Sequence, residues 1–332
     1  MLHCPFMLTI APSPTRTSTL EESARAALRN LPTLPFPGHG ATLERWRALA
    51  GWGGQDLALA KVLEAHHDAL AILAELGASG PGGASLLAVW AAEGPESTVR
   101  IENGPAGPRL VGRKPWCSGA RFVDAALLTA ASGDARQLVL VRMDRPGVHC
   151  VSGDWNAVGM EAIESGAVEF DAVPCRVIGA PGAYLARPGF WHGGAGIAAC
   201  WHGAAAAIAQ RMTDPGRVAG DPHLAAALGR CDMALGSAAA LLRELAAMID
   251  ASPQQAFERE VVRVRSVVER ACQQVLDLAG RSLGPAPLCR DGEHARRCAD
   301  LAVFIRQSHA DRDWAALGRQ VAPIEGSQRW PL

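Results

Sequence analysis

The sequence predicts an α+β chain: a short N-terminal helical domain, a middle antiparallel β-domain of sandwich or barrel type, and a C-terminal four-helix bundle. Three observations predict it. Apolar residues recur at helical spacing up to about residue 77. From Ser97 to Ile178 the segments become short, alternating and rich in Val, and Gly, Pro and Asp turns divide them. After Pro181 long helical patterns return and persist. The expected boundaries are a loose leader at 1–18, helices over 19–95, strands over 96–182, the bundle over 183–322, and a tail at 323–332.

Taken in order, Glu21–Leu31 carries a short helical pattern, and "LPTLPFPGHG" breaks it. Residues 41–77 read as helix with an interruption at Gly51–Gly54, "GASGPGGAS" is a turn, and 86–92 reads as more helix. The strand candidates are "STVRIE", "PRLVGRKPW", "AALLTAA", "QLVLVRM", "GVHCV" and "GAVEFDAV", with no helices between them. Helices are expected near 187–212, 222–250, 254–281 and 292–320, joined by "TDPGRVAGDP", "DASPQQ" and "GRSLGPAPL".

Composition narrows the function classes. The 332 residues are 49% hydrophobic and 20% charged, with a net charge of −1. No field of one sign is available to draw nucleic acid or an anionic membrane, so neither is an expected partner. The nine Cys are scattered, odd in number and without a CxxC, which argues for a reducing compartment and against a disulfide framework or zinc ribbon. No basic stretch precedes the first apolar run, so a secretory signal is not expected and the cytoplasm is the expected location.

The stretch "RPGFWHGGAGIAACWHG", from Arg187 to Gly203, contains Gly194-x-Gly196-x-x-Ala199, a near match to the dinucleotide-binding fingerprint. That fingerprint needs a strand before it and a parallel strand after it; here a loop precedes and a long helix follows. Its two Trp-His pairs do not make a metal site. His192 and His202 are ten residues apart, about 15 Å along a helix rising 1.5 Å per residue. The stretch reads instead as a helix whose small residues admit close packing. In "EAHHDAL", His66 and His67 are adjacent and do not share a helix face, so a solvated face or a pocket histidine is expected there, not a metal. No metal ligands are assigned anywhere.

The α–β–α order and several strings, over roughly residues 40–320, resemble the acyl-CoA dehydrogenase family of flavoproteins. "LVGRKPWCSGA" (110–120) is similar to the family's strand-and-turn motif. The resemblance implies that Trp116 flanks a flavin and that the Ser118 hydroxyl approaches flavin N5. "GMEAIESGAVEFDAVPCRVIGAPG" (159–182) is similar to the closing strand that hands the chain to the bundle. Arg187 matches the leading Arg of the first bundle helix and is the expected substrate-binding residue. The resemblance further implies FAD as cofactor, with Arg211 of "AQRMT" and Gly280 of "LAGRSLG" meeting FAD across a homodimer or homotetramer. Lys114, in the same turn motif, is read as structural.

The departures bear on chemistry. In place of the family's T-E-P-x-x-G-S-D string stands "VWAAEGPES" (89–97), where only Glu93, Pro95 and Ser97 match in outline and Ala92 replaces the Thr. The family's catalytic carboxylate maps onto Ser308, and the alternative site onto Ala186. His309 is the expected substitute base. If 292–320 is one helix, Arg306, His309 and Asp313 lie on adjacent turns of one face, with Asp313 orienting the ring. The resemblance therefore implies an FAD-dependent oxidoreductase acting on an acyl thioester or related small molecule, by α-proton removal with hydride transfer to N5. Two alternatives stand beside it: a flavin monooxygenase of the same architecture, fed reduced flavin by a reductase, and a degenerate non-catalytic member that binds a partner or acyl ligand.

Overall fold

The computed structural model describes residues 20–83, 85–326 and 329–330; the expected leader at 1–18, and part of the 323–332 tail, lie outside these. The elements follow the α, β, α order. Helices α1 (Leu20–Asn30), α2 (Thr42–Gln55) and α3 (Leu57–Glu75) come first. Strands β1 (Leu87–Trp90), β2 (Arg100–Gly104), β3 (Gly107–Lys114), β4 (Ala125–Ser132), β5 (Ala135–Arg142), β6 (Val148–Cys150), β7 (Val168–Pro174) and β8 (Arg176–Ile178) follow. Then come α4 (Ala183–Ala186), α5 (Gly189–Ala209), α6 (Pro215–Gly220) and α7 (Pro222–Ala251), and after them α8 (Glu258–Leu283), α9 (Pro285–Arg290), α10 (Gly292–Phe304) and α11 (Asp311–Val321). By contact these form two compact units. One holds 58–190 with the described residues before 37; the other holds 37–57 with the described residues from 191 on.

In the first unit the strands join into one eight-stranded sheet in the order β6-β7-β3-β2-β4-β5-β8, with β1 also pairing β4. Most pairings are antiparallel, as expected. The exception is one edge of β4, where β1 pairs in parallel over Leu87–Trp90 and β2 joins in parallel at Arg100. The sequence reading placed 86–92 in a helix. The structure corrects this: four buried residues beside β4 are too few for periodicity to tell strand from helix, and pairing decides. The core of this unit lies where Ala69, Ile72 and Leu73 of α3 meet Leu87, Leu127, Leu138, Leu140 and Ile178 of the sheet.

Two buried histidines tie α3 down. His66 Nδ1 accepts from the Leu87 backbone N–H at 3.2 Å, and His67 Nδ1 accepts from that of Leu34 at 3.4 Å. Both rings are therefore pocket acceptors and not a solvated face. Burial pushes the His66 ring down to about 4, which keeps it neutral and able to accept.

In the second unit α5 contains Gly194 and Gly196 inside a continuous helix, so the fingerprint-like glycines belong to no strand-to-helix turn. Gly196 and Gly203 face α2. A Cβ on Gly203 would collide with the Ala50 carbonyl, and a Cβ on Gly53 with the Cys200 carbonyl, so the two helix backbones meet without side chains between them. The two Trp-His pairs are packing residues: His192 Nε2 lies 2.8 Å from the Gln255 carbonyl and His202 Nε2 3.2 Å from that of Leu235. Trp201 is fully buried, with Phe304 edge-on at 6.1 Å and the Arg265 guanidinium 4.9 Å from its ring.

Side-chain caps set the helix starts. Asp221 accepts from the N–H groups of His223 and Leu224, ahead of Pro222 at the first position of α7. Asp214 with Pro215 does the same for α6, so a short helix forms inside the expected connector 213–222. The expected helix 292–320 is not continuous. It ends at Phe304, passes through a 3₁₀ turn at Ile305–Gln307, and restarts at Asp311 after Ala310 takes φ +47°. Two contacts hold this break onto α8: Arg265 Nη2 donates to the Gln307 carbonyl at 3.1 Å, and Arg306 pairs with buried Glu269 at 3.3 Å.

Candidate active site

The turn after β3 presents Trp116. This residue has φ +61°, a left-handed conformation that costs a non-glycine residue about 1–3 kcal/mol, and it is 58% exposed. Trp155 approaches it edge-on, with centroids 6.3 Å apart. The turn is held from several sides. Cys117 N–H donates to the Gly166 carbonyl at 2.7 Å and Gly119 N–H to that of Ile163 at 2.9 Å. The Cys117 thiol donates to the Lys114 carbonyl at 3.2 Å, and burial pushes that thiol's pKa up, so it stays neutral. Ser118 places its hydroxyl 2.7 Å from that of Ser165, while its carbonyl accepts from Trp90 Nε1 at 3.1 Å. Ser118 also lines a small cleft with Lys61, Val62, Leu87 and Trp90.

Lys114 lies at the end of β3 and not in the turn itself. Its side chain is fully buried, and its ammonium donates to Glu93 Oε1 at 3.0 Å, to the Thr129 carbonyl at 3.0 Å and to Thr129 Oγ1 at 2.9 Å. The Thr129 hydroxyl in turn donates to Glu93 Oε1 at 2.5 Å. Burial lowers the Lys114 pKa, and Glu93 opposes that. Burial raises the Glu93 pKa, but hydrogen bonds from Thr129 and Lys114 outweigh it and keep the carboxyl below its ordinary value.

Arg187, the expected substrate-binding residue, is buried and paired with Glu75 at 2.8 Å, with its guanidinium 5.1 Å from the Tyr184 ring. Glu75 also accepts from the Gly189 N–H at the start of α5, at 2.9 Å. Arg211 lies in a 3₁₀ turn after α5 and pairs with Asp291 at 2.6 Å. Gly280 lies inside α8; the backbone turns at Gly284, which has φ +70°.

His309 sits in the break before α11, not on a helix face. Its side chain is 64% exposed, and its Nδ1 lies 3.2 Å from Asp313 Oδ1. The expected pairing of ring and carboxylate therefore forms, although a continuous helix does not produce it. Ser308 is buried, and its hydroxyl accepts from the Ala310 N–H at 3.3 Å. Arg306 is directed to Glu269 instead of joining His309.

No protein-family model and no curated protein matches this sequence. Solved structures do. TdsC from Paenibacillus sp. A11-2, in complex with FMN and indole, superimposes with a TM-score of 0.75 at 19% identity, over 90% of this chain and 88% of that one. Butyryl-CoA dehydrogenase from Megasphaera elsdenii gives 0.75 at 14% identity, over 91% and 89%. The chain has the acyl-CoA dehydrogenase fold. A nitrososynthase from Micromonospora carbonacea var. africana shares it, with a TM-score of 0.73 at 18% identity, over 90% and 88%.

The sequence strings single out Trp116 and Ser118 but not the two side chains that the structure sets beside them. Trp155 and Ser165 lie 39 and 47 residues beyond them, and only the β7 pairing brings that segment back. The Glu93–Lys114–Thr129 ring joins three elements and leaves no local pattern. The one available signal was Glu93 surviving in a string that had otherwise diverged.

Proposed function

We propose that this chain is a flavin-dependent oxidoreductase that works as a monooxygenase on a small molecule, using reduced flavin and oxygen. What supports the reading is that Ser308, with His309 beside it, occupies the sequence position onto which the family resemblance maps the dehydrogenase's carboxylate base. The monooxygenase TdsC, whose structure contains FMN, is among the structural neighbours and adds support. Both flavin states have a use in this fold: oxidised, the ring takes up a hydride; reduced, it activates oxygen.

The residues present fit a flavin ring. Trp116 offers an exposed flat face, held outward by an unfavourable backbone conformation. Beside it, the Ser118 and Ser165 hydroxyls supply a donor between them. In this reading Trp116 would wall the ring, and Ser118 would donate to its edge. Asp313 would accept from His309 Nδ1–H and leave Nε2 as the atom that holds or moves a proton. FAD is the flavin that the family resemblance implies. Its pyrophosphate would have to displace Asp291 from Arg211, whereas FMN makes no such demand. Reduced flavin would come from a separate reductase, in the cytoplasm, and the protein would act as a homodimer or homotetramer.

A second reading, dehydrogenation of an acyl thioester, is favoured by the His309–Asp313 pair itself, because an oriented imidazole can remove an α-proton. The visible spectrum of the purified protein, before and after reconstitution with FMN or FAD, tests the flavin reading; a protein that remains colourless overturns it. Anaerobic bleaching of bound flavin by an acyl thioester would select the dehydrogenase. Oxygen-dependent hydroxylation with supplied reduced flavin would select the monooxygenase.

A further inference from the structure

We infer that the Glu93–Lys114–Thr129 ring is a positioning device: it fixes the turn that presents Trp116 and Ser118, and so sets the geometry of the flavin wall. The inference rests on the flavin reading for its consequence, but its geometry stands on its own. Lys114 is two residues before Trp116, at the last position of β3. All three of its ammonium hydrogens are used, each on a different acceptor, and two of those acceptors belong to β4. The third, Glu93, follows β1, and its second oxygen lies 3.5 Å from Arg136 of β5. One buried side chain thus ties β4 and the segment after β1 to the point where β3 ends. From there the chain passes through Pro115, with φ fixed by its ring, into the left-handed Trp116.

A left-handed tryptophan is retained only where its surroundings over-determine it. Downstream, the backbone bonds of Cys117 and Gly119 to the 163–166 segment supply half of that constraint. Upstream, the β3–β7 ladder holds the backbone as far as Lys114, opposite Val168, and the Lys114 ammonium adds a second, side-chain anchor at the same residue. A buried ion pair of this kind adds little to stability compared with an apolar pair of the same volume. What it supplies is direction, because a methionine in its place could fill the space without fixing the strand end. Lys114 and Glu93 are accordingly positioning residues, and neither is assigned a contact with flavin.

The test uses the full chain with 5-fluorotryptophan in place of its nine tryptophans, and assigns the Trp116 signal through Trp116→Phe. Lys114→Met, and Glu93→Gln as the gentler change should Lys114→Met fail to fold, are expected to shift or broaden the Trp116 fluorine resonance. The signals of Trp46 and Trp314, which belong to the other compact unit, should stay in place. In parallel, flavin titrated onto these variants should bind about tenfold more weakly than to the parent, at a matched melting temperature. Combining Lys114→Met with Trp116→Ala should cost no more affinity than Trp116→Ala alone, since both remove the same wall. An unmoved Trp116 resonance, or fully additive losses, overturns the inference. A moved resonance in a protein that binds neither FMN nor FAD keeps the positioning role and overturns the flavin reading instead.

Discussion

His309 and Asp313 face each other across the start of α11. The ring Nδ1 lies 3.2 Å from Oδ1, and the His309 backbone N–H donates to Oδ2 of the same carboxylate at 3.1 Å. One carboxylate thus holds both the ring and the backbone of the residue that presents it. The exposed imidazole is oriented without being buried.

That arrangement predicts unequal losses. His309→Ala should cut turnover by about 100- to 10,000-fold with flavin affinity unchanged, because it removes the proton-carrying group. Asp313→Asn should cut it by about tenfold, since the ring survives but is less well oriented. Steady-state rates with reduced flavin and oxygen measure both. Unchanged turnover in His309→Ala would remove His309 from the mechanism.

His66 predicts an acid-sensitive fold. Its pKa in the folded chain is about 4, below the ordinary 6.5, so the unfolded chain takes up the proton first. The contribution is fully present above pH 6.5 and is lost as pH falls toward 4, about 3 kcal/mol in all. Urea unfolding at several pH values should show this fall. His66→Asn keeps an acceptor for the Leu87 N–H and should flatten it. Burial also lowers His202 and His294, so part of the slope will remain. An identical slope in His66→Asn would contradict the assignment.

The α2–α5 contact predicts opposite effects for one substitution at two glycines. Gly203→Ala drives a methyl into the Ala50 carbonyl and should destabilise by about 3 kcal/mol. Gly51→Ala, on the same helix as Ala50, meets nothing within 4 Å and should stabilise by roughly 0.5–1 kcal/mol. Melting temperatures moving in the same direction would show that the helices do not approach as described.

Glu75 and Arg187 predict a similar asymmetry. Glu75→Gln leaves the buried Arg187 guanidinium without its counter-charge, where Nε already has no hydrogen-bond partner among the described residues, and should cost about 3 kcal/mol. Arg187→Met removes the charge and fills much the same volume, and should cost less. Chemical denaturation ranks the two, and the reverse order would mean that Arg187 serves stability through contacts other than Glu75.

The sequence by itself determined the α, β, α order, nearly every middle strand, and the helical nature of the Arg187–Gly203 stretch. Each of these is written locally, in alternation, turn residues and 3.6-residue periodicity. It also pointed to Trp116, Ser118 and the missing carboxylate, because those lie within short contiguous strings. Only the tertiary structure decided the rest. Leu87–Trp90 became a strand because β4 was there to pair with it. The helix expected over 292–320 broke at Ile305–Ala310, because Arg265 and Glu269 of α8 offered better partners than continued helix. Lys114 changed from a turn residue into the centre of a buried ring because Glu93 and Thr129, 21 and 15 residues away, converge on it. The physical reason is common to all three: local propensities differ by less than a kcal/mol or so per residue, and a strand ladder or a hydrogen bond to a charged group outweighs them.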